Sequence, residues 1–99
     1  MDHVRQGEVI RTVNDCFDIL VLSKDFFNAF GMAMVCPVVS RAAPDPLHIP
    51  VKTSQYEGIA MLEHLKSLDL SSRHYRRLDQ IPFEQIQNIS DAVQSIFDY

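Results

Sequence analysis

Residues 20–40 of the chain are LVLSKDFFNAFGMAMVCPVVS, and this stretch decides the fold. Its second half, residues 32–40, is apolar almost throughout, which is typical of a central strand buried on both faces. Pro37 has no backbone N–H to donate to a neighbouring strand, so we expect a bulge, a bend or the end of the strand at Cys36-Pro37. The stretch therefore predicts a buried strand in the middle of a sheet.

A short helix is predicted just before this strand. Ser23 is a candidate N-cap because its hydroxyl can accept a hydrogen bond from the first-turn amides, and Gly31 suits a left-handed stop after Phe30. Phe26 and Phe27 are candidates, with Phe30, for an exposed partner surface. We expect these three rings instead to pack the helix against the sheet.

Residues 7–22 have the pattern of a β-hairpin. Two runs rich in β-branched residues flank Asn14-Asp15, which are typical of a tight turn. If these two residues form the turn, Arg11 lies opposite Asp18 on the second strand. The sequence therefore predicts a cross-strand ion pair between Arg11 and Asp18.

The middle of the chain alternates short strands with loops. We expect a proline-containing loop at residues 41–46 and a short edge strand at 47–51. A further strand is expected at 58–63, a tight turn or short 3₁₀ piece at 64–68, and a last polar strand at 72–79. Ser67 to Asp69 are interpreted mainly as part of the turn.

An amphipathic helix is predicted at the C-terminal end. Pro82 suits the first helical position, and Glu84 favours the positive end of the helix dipole. The apolar residues expected to face the sheet follow the i, i+3, i+7 rule and are Phe83, Ile86, Ile89 or Ser90, Val93 and Phe97. The whole pattern predicts a mainly β fold with α, a small bent barrel packed by this helix, in one domain over residues 1–99.

Composition excludes several classes of protein. The net charge of −4 argues against a nucleic-acid binder with a basic surface all round, although residues 64–77 concentrate His, Lys and Arg around the single acid Asp69. No apolar run is long enough to span a membrane and no signal peptide is evident, so we expect a cytoplasmic protein. Cys16 and Cys36 form no CxxC or paired Cys/His spacing, so no metal or other cofactor is expected.

The ordered set of motifs resembles the MazF/PemK family of toxin ribonucleases. The motifs that carry the resemblance are Val21-Leu22-Ser23, Phe27-Asn28, Gly31-Met32-Ala33, Val35-Cys36-Pro37, Gly58-Ile59-Ala60, Lys66-Ser67-Leu68-Asp69 and Ile81-Pro82. The resemblance implies an SH3-like barrel that forms a homodimer and is neutralised when a disordered tail of an antitoxin folds over the dimer groove. It also implies cleavage of single-stranded RNA without a metal.

Three family elements of the implied active site are replaced. Phe17-Asp18 stand where the family has Arg-Pro, and Val39 stands where it has a Thr or Ser hydroxyl. The long loop between the first two strands is reduced to the predicted two-residue turn. Phosphate cleavage needs a proton acceptor, a proton donor and a positive group, so we expect the ribonuclease activity to be weak or lost. The alternative is a catalytically silent binding module that engages an antitoxin or another protein target.

Three residues are candidate catalytic substitutes: Arg11, Ser40 and His64. Arg11 has the simpler role of pairing with Asp18. Ser40 points to the opposite face from Val39 unless a bulge shifts the strand. His64 beside Glu63 is a candidate general base, with a surface or dimer-contact role as the alternative. The candidates for binding RNA or an antitoxin are Lys66, Arg73, Tyr75 and Arg77, of which the last three share one face of the predicted strand.

Overall fold

The computed structural model describes residues 3–13, 17–71 and 73–97. The turn predicted at Asn14-Asp15, with Cys16, lies outside the described residues. The elements are β1 Glu8–Thr12, β2 Asp18–Val21, α1 Asp25–Asn28, β3 Met32–Val39, β4 His48–Lys52, β5 Glu57–Met61, a 3₁₀ turn at Leu62–His64, β6 Lys66–Asp69, β7 Tyr75–Gln80 and α2 Phe83–Phe97.

The strands form one curled antiparallel sheet in the order β4-β5-β3-β2-β1-β7, with β6 also paired to β3. The predicted small-barrel fold with a C-terminal helix is confirmed. The prediction of a turn over residues 64–68, with Ser67 to Asp69 as turn architecture, is wrong from Lys66 onward. There the chain is already extended and pairs with the first half of β3.

The central strand is β3, and it changes partners along one side. Residues up to Val35 pair with β6, and Val38 and Val39 pair with β5. On the other side the register against β2 runs unbroken through Pro37. The predicted bulge or strand end is therefore wrong, since Pro37 lies where β3 passes from one partner to the other.

Both faces of the central strands are buried, as the sequence predicts. Cys36 and Leu20 belong to a cluster on the face covered by α2, and their neighbours Val35 and Ile19 belong to a cluster on the opposite face. Alternate side chains of a strand point to opposite sides, so each of these strands contributes to both clusters. This double burial fixes the register that places the functional side chains.

The predicted helix α2 is present, and it begins at Phe83, one residue after the Pro82 that was predicted as its first position. Ile89 is fully buried, and Ile86 and Val93 pack against the same cluster. Phe83 and Phe97 are 72% and 71% exposed, so their predicted packing is wrong. They occupy the two ends of the helix, and only the middle turns reach the sheet. No helix in the described part of the chain is long and apolar enough to span a membrane.

The helix α1 is shorter than predicted and is held by polar groups. Its N-cap is Lys24, without a side-chain hydrogen bond, so the prediction of Ser23 as N-cap is wrong. The Ser23 hydroxyl donates to Asn28 Oδ1 at 2.5 Å and accepts from the Met34 amide at 2.9 Å. Asn28 is the buried residue of this helix. Gly31 has the expected positive φ, +93°, but α1 ends at Asn28, so the prediction of a helix that runs through Phe30 and stops at Gly31 is wrong.

The aromatic rings around α1 do not pack the helix onto the sheet. Phe26 and Phe30 are 73% and 83% exposed, and Phe27 is also exposed. Because the buried Asn28 anchors the helix, its other sides are left towards solvent. The expected packing is therefore wrong, and an aromatic surface is exposed in its place.

Candidate functional site

A pocket of about 520 Å³ lies where β2, β3 and the 62–64 turn meet, and we call it the Phe17 pocket. Its apolar lining residues are Phe17, Pro37, Val39, Met61 and Leu65, and its polar ones are Glu63, His64 and Lys66. The pocket thus combines an apolar wall with one carboxylate, one imidazole and one ammonium group.

The sheet register brings Phe17 and Val39 together. Asp18 pairs with Val38 across β2 and β3, so one step further along the antiparallel pair Phe17 lies opposite Val39. Ser40 lines a different concavity, beside Lys52 and other residues of β4 and β5. The structure therefore does not bring the candidate Ser40 into the Phe17 pocket.

Arg11 is held by the predicted ion pair, which is confirmed. Its Nε donates to Asp18 Oδ1 at 2.8 Å, and this hydrogen bond raises the pKa of the guanidinium. The Tyr56 hydroxyl donates to the other oxygen of Asp18 at 2.6 Å. Burial, with this hydrogen bond next, raises the pKa of Tyr56. Arg11 lines a second concavity with residues of β7, including Tyr75, and does not line the Phe17 pocket.

His64 lines the Phe17 pocket, but the imidazole that contacts Glu63 belongs to His48. His48 Nε2 lies 2.6 Å from Glu63 Oε2, and this hydrogen bond holds the pKa of the Glu63 carboxyl below its usual value. Sequence reasoning missed His48. The pair follows from the register, because His48 lies opposite Met61 and Glu63 is two residues beyond. If the pairing of β4 with β5 had been known, the contact between His48 and Glu63 would have been predictable.

The four candidates for binding RNA or an antitoxin do not come together in one site. Lys66 is exposed and lines the Phe17 pocket. Arg73 Nε donates to the Asp69 carbonyl at 3.0 Å. Tyr75 packs partly buried against the second core cluster. Arg77 Nε lies 2.6 Å from the carboxylate of the buried Glu8. Only Lys66 of these four lines the pocket that contains Phe17 and Val39.

No group of three or more His, Cys, Asp or Glu side chains suited to a metal ion occurs within residues 3–13, 17–71 and 73–97. Cys36 is buried on β3, and burial raises the pKa of its thiol to about 12, with Glu63 adding to the effect. It therefore remains a protonated, unreactive core thiol at neutral pH.

Known structures share this arrangement of strands. A chain of the MazE–MazF complex from Deinococcus radiodurans is 24% identical, with 100% of both chains covered and a TM-score of 0.87. MazF from the same organism is 22% identical over 100% of both chains, with a TM-score of 0.84. An endoribonuclease in complex with its cognate antitoxin, from a mycobacterial species, is 13% identical over 95% of this chain and 94% of that chain, with a TM-score of 0.81. These likenesses establish the fold.

Sequence comparison establishes the family. A comparison with curated protein sequences finds no match. The family model described as PemK-like, MazF-like toxin of type II toxin-antitoxin system matches residues 18–97. Because that match spans most of the chain and the strand order agrees with the MazF structures, the chain belongs to the PemK/MazF toxin family.

Proposed function

We propose that this chain is a toxin-family protein that binds an antitoxin and has weak or no ribonuclease activity. The observation that carries the proposal is the lining of the Phe17 pocket. Phe17 and Val39 occupy the positions at which the family resemblance places a catalytic arginine and a hydroxyl, and both side chains line this one pocket. The groups that the chemistry needs are thus replaced together.

The loss of these groups acts on the transition state of RNA cleavage. Attack of a 2′-hydroxyl on the neighbouring phosphate builds negative charge, which a fixed cation stabilises by about 3 kcal/mol per well-placed donor. A phenyl ring and a valine side chain donate no hydrogen bond. Arg11, the nearest candidate substitute, is engaged by Asp18, and Ser40 lines another concavity. The proposal therefore expects a large loss of rate relative to active family members.

A second candidate function is residual ribonuclease activity through His64. His64 and Lys66 both line the Phe17 pocket beside Glu63. An imidazole for proton transfer and an ammonium group for phosphate binding are a minimal set for this chemistry. This is the specific observation that favours an enzyme over a silent module.

Cleavage of a single-stranded RNA pool by the purified chain separates the two functions. We expect no cleavage above background at nanomolar protein, and no change in His64→Ala. Cleavage that disappears in His64→Ala or Lys66→Ala but persists in the surface variant Lys24→Ala would establish the second candidate and overturn the first.

Binding of an antitoxin is supported by the family and by the pocket. The similar structures include a MazE–MazF complex and an endoribonuclease with its cognate antitoxin. The apolar wall at Phe17 and Leu65, with Lys66 beside it, suits an apolar side chain next to an acid on a disordered antitoxin tail. The test is calorimetry with a disordered peptide that carries an apolar side chain next to an acid. We expect Lys66→Glu to weaken binding at least about tenfold, and the matched exposed variant Lys24→Glu to change it little.

We also propose that the chain forms a cytoplasmic homodimer. Exposed aromatic rings on α1 and α2, at Phe26 and Phe97 among others, are the kind of apolar surface that soluble proteins cover by association. Sedimentation equilibrium should give twice the chain mass of 11.3 kDa. A monomer at micromolar concentration would contradict this part of the proposal without affecting the argument on catalysis.

A further inference from the structure

His48 lies at the start of β4, and both of its ring nitrogens meet hydrogen-bond acceptors. Nε2 is 2.6 Å from Glu63 Oε2, and Nδ1 is 2.5 Å from the Ala43 carbonyl oxygen. The side chain is only 11% exposed. A neutral imidazole carries one N–H, so it donates to one of these two oxygens and turns a lone pair towards the other. Two acceptors on opposite sides of the ring therefore select the doubly protonated imidazolium.

The charged and titratable groups around the pair favour the same state. Asp45, in the loop before β4, places a further negative charge near His48. On the 62–64 turn the neighbours are Glu63 itself and His64. From β3 the nearby titratable group is Cys36, which is a neutral thiol at ordinary pH. His48 is thus surrounded mainly by acceptors and acids.

The pair joins two segments that are separate in the chain. Through Ala43 the imidazole holds the loop of residues 41–47, and through Glu63 it holds the 62–64 turn. Glu63 also lines the Phe17 pocket. The protonation of one histidine therefore affects both the attachment of the loop and the charge balance of the pocket wall.

We propose that His48 is a pH switch. As an imidazolium it fastens the 41–47 loop to the 62–64 turn and balances the charge of Glu63. When it releases one proton to solvent, it gives up one of its two hydrogen bonds and no longer balances the charge of Glu63, which leaves Lys66 and His64 as the basic side chains that line the pocket with that carboxylate. The switch does not depend on the proposed function, because it concerns the chain alone.

The direction of the pH dependence follows from both partners. The hydrogen bond to Glu63, and then that to Ala43, raises the pKa of His48 above its usual 6.5. Its contribution to stability is fully present below 6.5 and is lost as the pH rises through the folded pKa. The pKa of Glu63 is lowered from 4.5, so its contribution is present above 4.5 and is lost as the pH falls through its folded value. The contact between the His48 imidazolium and the Glu63 carboxylate is therefore favoured between these limits. It is lost as the pH rises through the folded pKa of His48, or falls through that of Glu63.

Nitrogen-detected NMR of the chain tests the switch. At pH 5.5 we expect both His48 ring nitrogens to show the shifts of an imidazolium. The His48 midpoint should lie above that of a free histidine, and it should fall by about one pH unit or more in Glu63→Gln, which keeps the side-chain shape and removes the charge. The matched control is His64→Gln, which should leave the His48 midpoint nearly unchanged.

Two further signals should share the His48 midpoint. These are the carboxyl carbon shift of Glu63 and the amide exchange rates of Ala43, Asp45 and Leu47, and in His48→Gln the exchange rates should no longer follow that transition. A His48 midpoint that Glu63→Gln does not move, or a single protonated nitrogen at pH 5.5, would overturn the proposal. So would loop exchange that is independent of the His48 titration in the unmodified chain.

Discussion

At the scale of single residues, three polar side chains connect distant parts of the chain. Asp18 accepts from Arg11 on β1 and from Tyr56 after β4. Asp79 on β7 accepts from the Thr53 hydroxyl, which itself accepts from the Gln55 and Tyr56 amides. These contacts fix the turn between β4 and β5 against the opposite end of the sheet. They also engage Arg11, which is a candidate catalytic residue when the sequence is considered alone.

The Thr53 contact predicts a specific pH dependence of stability. Its hydroxyl, followed by the Gln80 amide, lowers the pKa of Asp79 from 3.8. The stabilisation is therefore present above pH 3.8 and is lost as the pH falls through the folded pKa. Thr53→Val should lower the free energy of unfolding by about 1 kcal/mol at pH 7, and the difference from the unmodified chain should shrink in acid. Urea unfolding at several pH values measures it.

Thr53→Ser is the control for this prediction, since it keeps the hydroxyl and should retain most of the pH dependence. A stability difference between Thr53→Val and the unmodified chain that is the same at pH 3 and pH 7 would mean that the charge of Asp79 plays no part.

At the scale of elements, α2 protects the edge of the sheet through one side chain. The Lys52 amide donates to Gln85 Oε1 at 2.9 Å, and Gln85 Nε2 donates to the Lys52 carbonyl at 2.5 Å. β4 is an edge strand. At Lys52 the side-chain amide of Gln85 thus makes the two backbone hydrogen bonds that a neighbouring strand would otherwise make. Unpaired edges promote aggregation, so this pair of hydrogen bonds also guards against association between sheets.

Removing the Gln85 amide should release this edge. We expect Gln85→Ala to speed amide exchange at Lys52 and to lower stability by about 1–2 kcal/mol. Gln87→Ala, on the exposed side of the same helix, is the matched control and should behave like the unmodified chain. Hydrogen exchange followed by NMR gives the comparison, and equal exchange at Lys52 in the two variants would contradict the role of Gln85.

An element could be predicted from the sequence where neighbouring residues determine it, and could not where pairing with a distant strand determines it. The hairpin register and the start of α2 were predictable, because turn residues, Pro82 and apolar periodicity are local. β6 was not, since Lys66 to Asp69 have one buried residue, Leu68, and become a strand only by pairing with β3. The exposure of Phe83 and Phe97 depends on how far the curled sheet extends beneath α2. The contact of His48 with Glu63 depends on strand pairing that no local pattern records.

At the scale of the whole molecule, the residues that build the fold are largely distinct from those that line the Phe17 pocket. The strand order, the buried central strands and α2 follow the fold shared with MazF structures. The Phe17 pocket lies at the ends of β2 and β3, and Phe17 and Val39 carry little of the core, because Phe17 is exposed and Val39 only partly buried. Side chains at such positions can change with small effects on folding. The fold therefore places few constraints on the activity.

The proposed function predicts that polar groups added to the Phe17 pocket will increase cleavage. Phe17→Arg combined with Val39→Thr adds a cation and a hydroxyl to the Phe17 pocket, and each such group contributes about 3 kcal/mol to transition-state stabilisation when it is well placed. We expect the double variant to cut single-stranded RNA at least about tenfold faster than the unmodified chain, with an unchanged circular dichroism spectrum. Phe17→Met combined with Val39→Ile alters the same positions without polar groups and should stay inactive. A folded double variant with no gain would contradict the assignment of weak or absent cleavage to these two side chains.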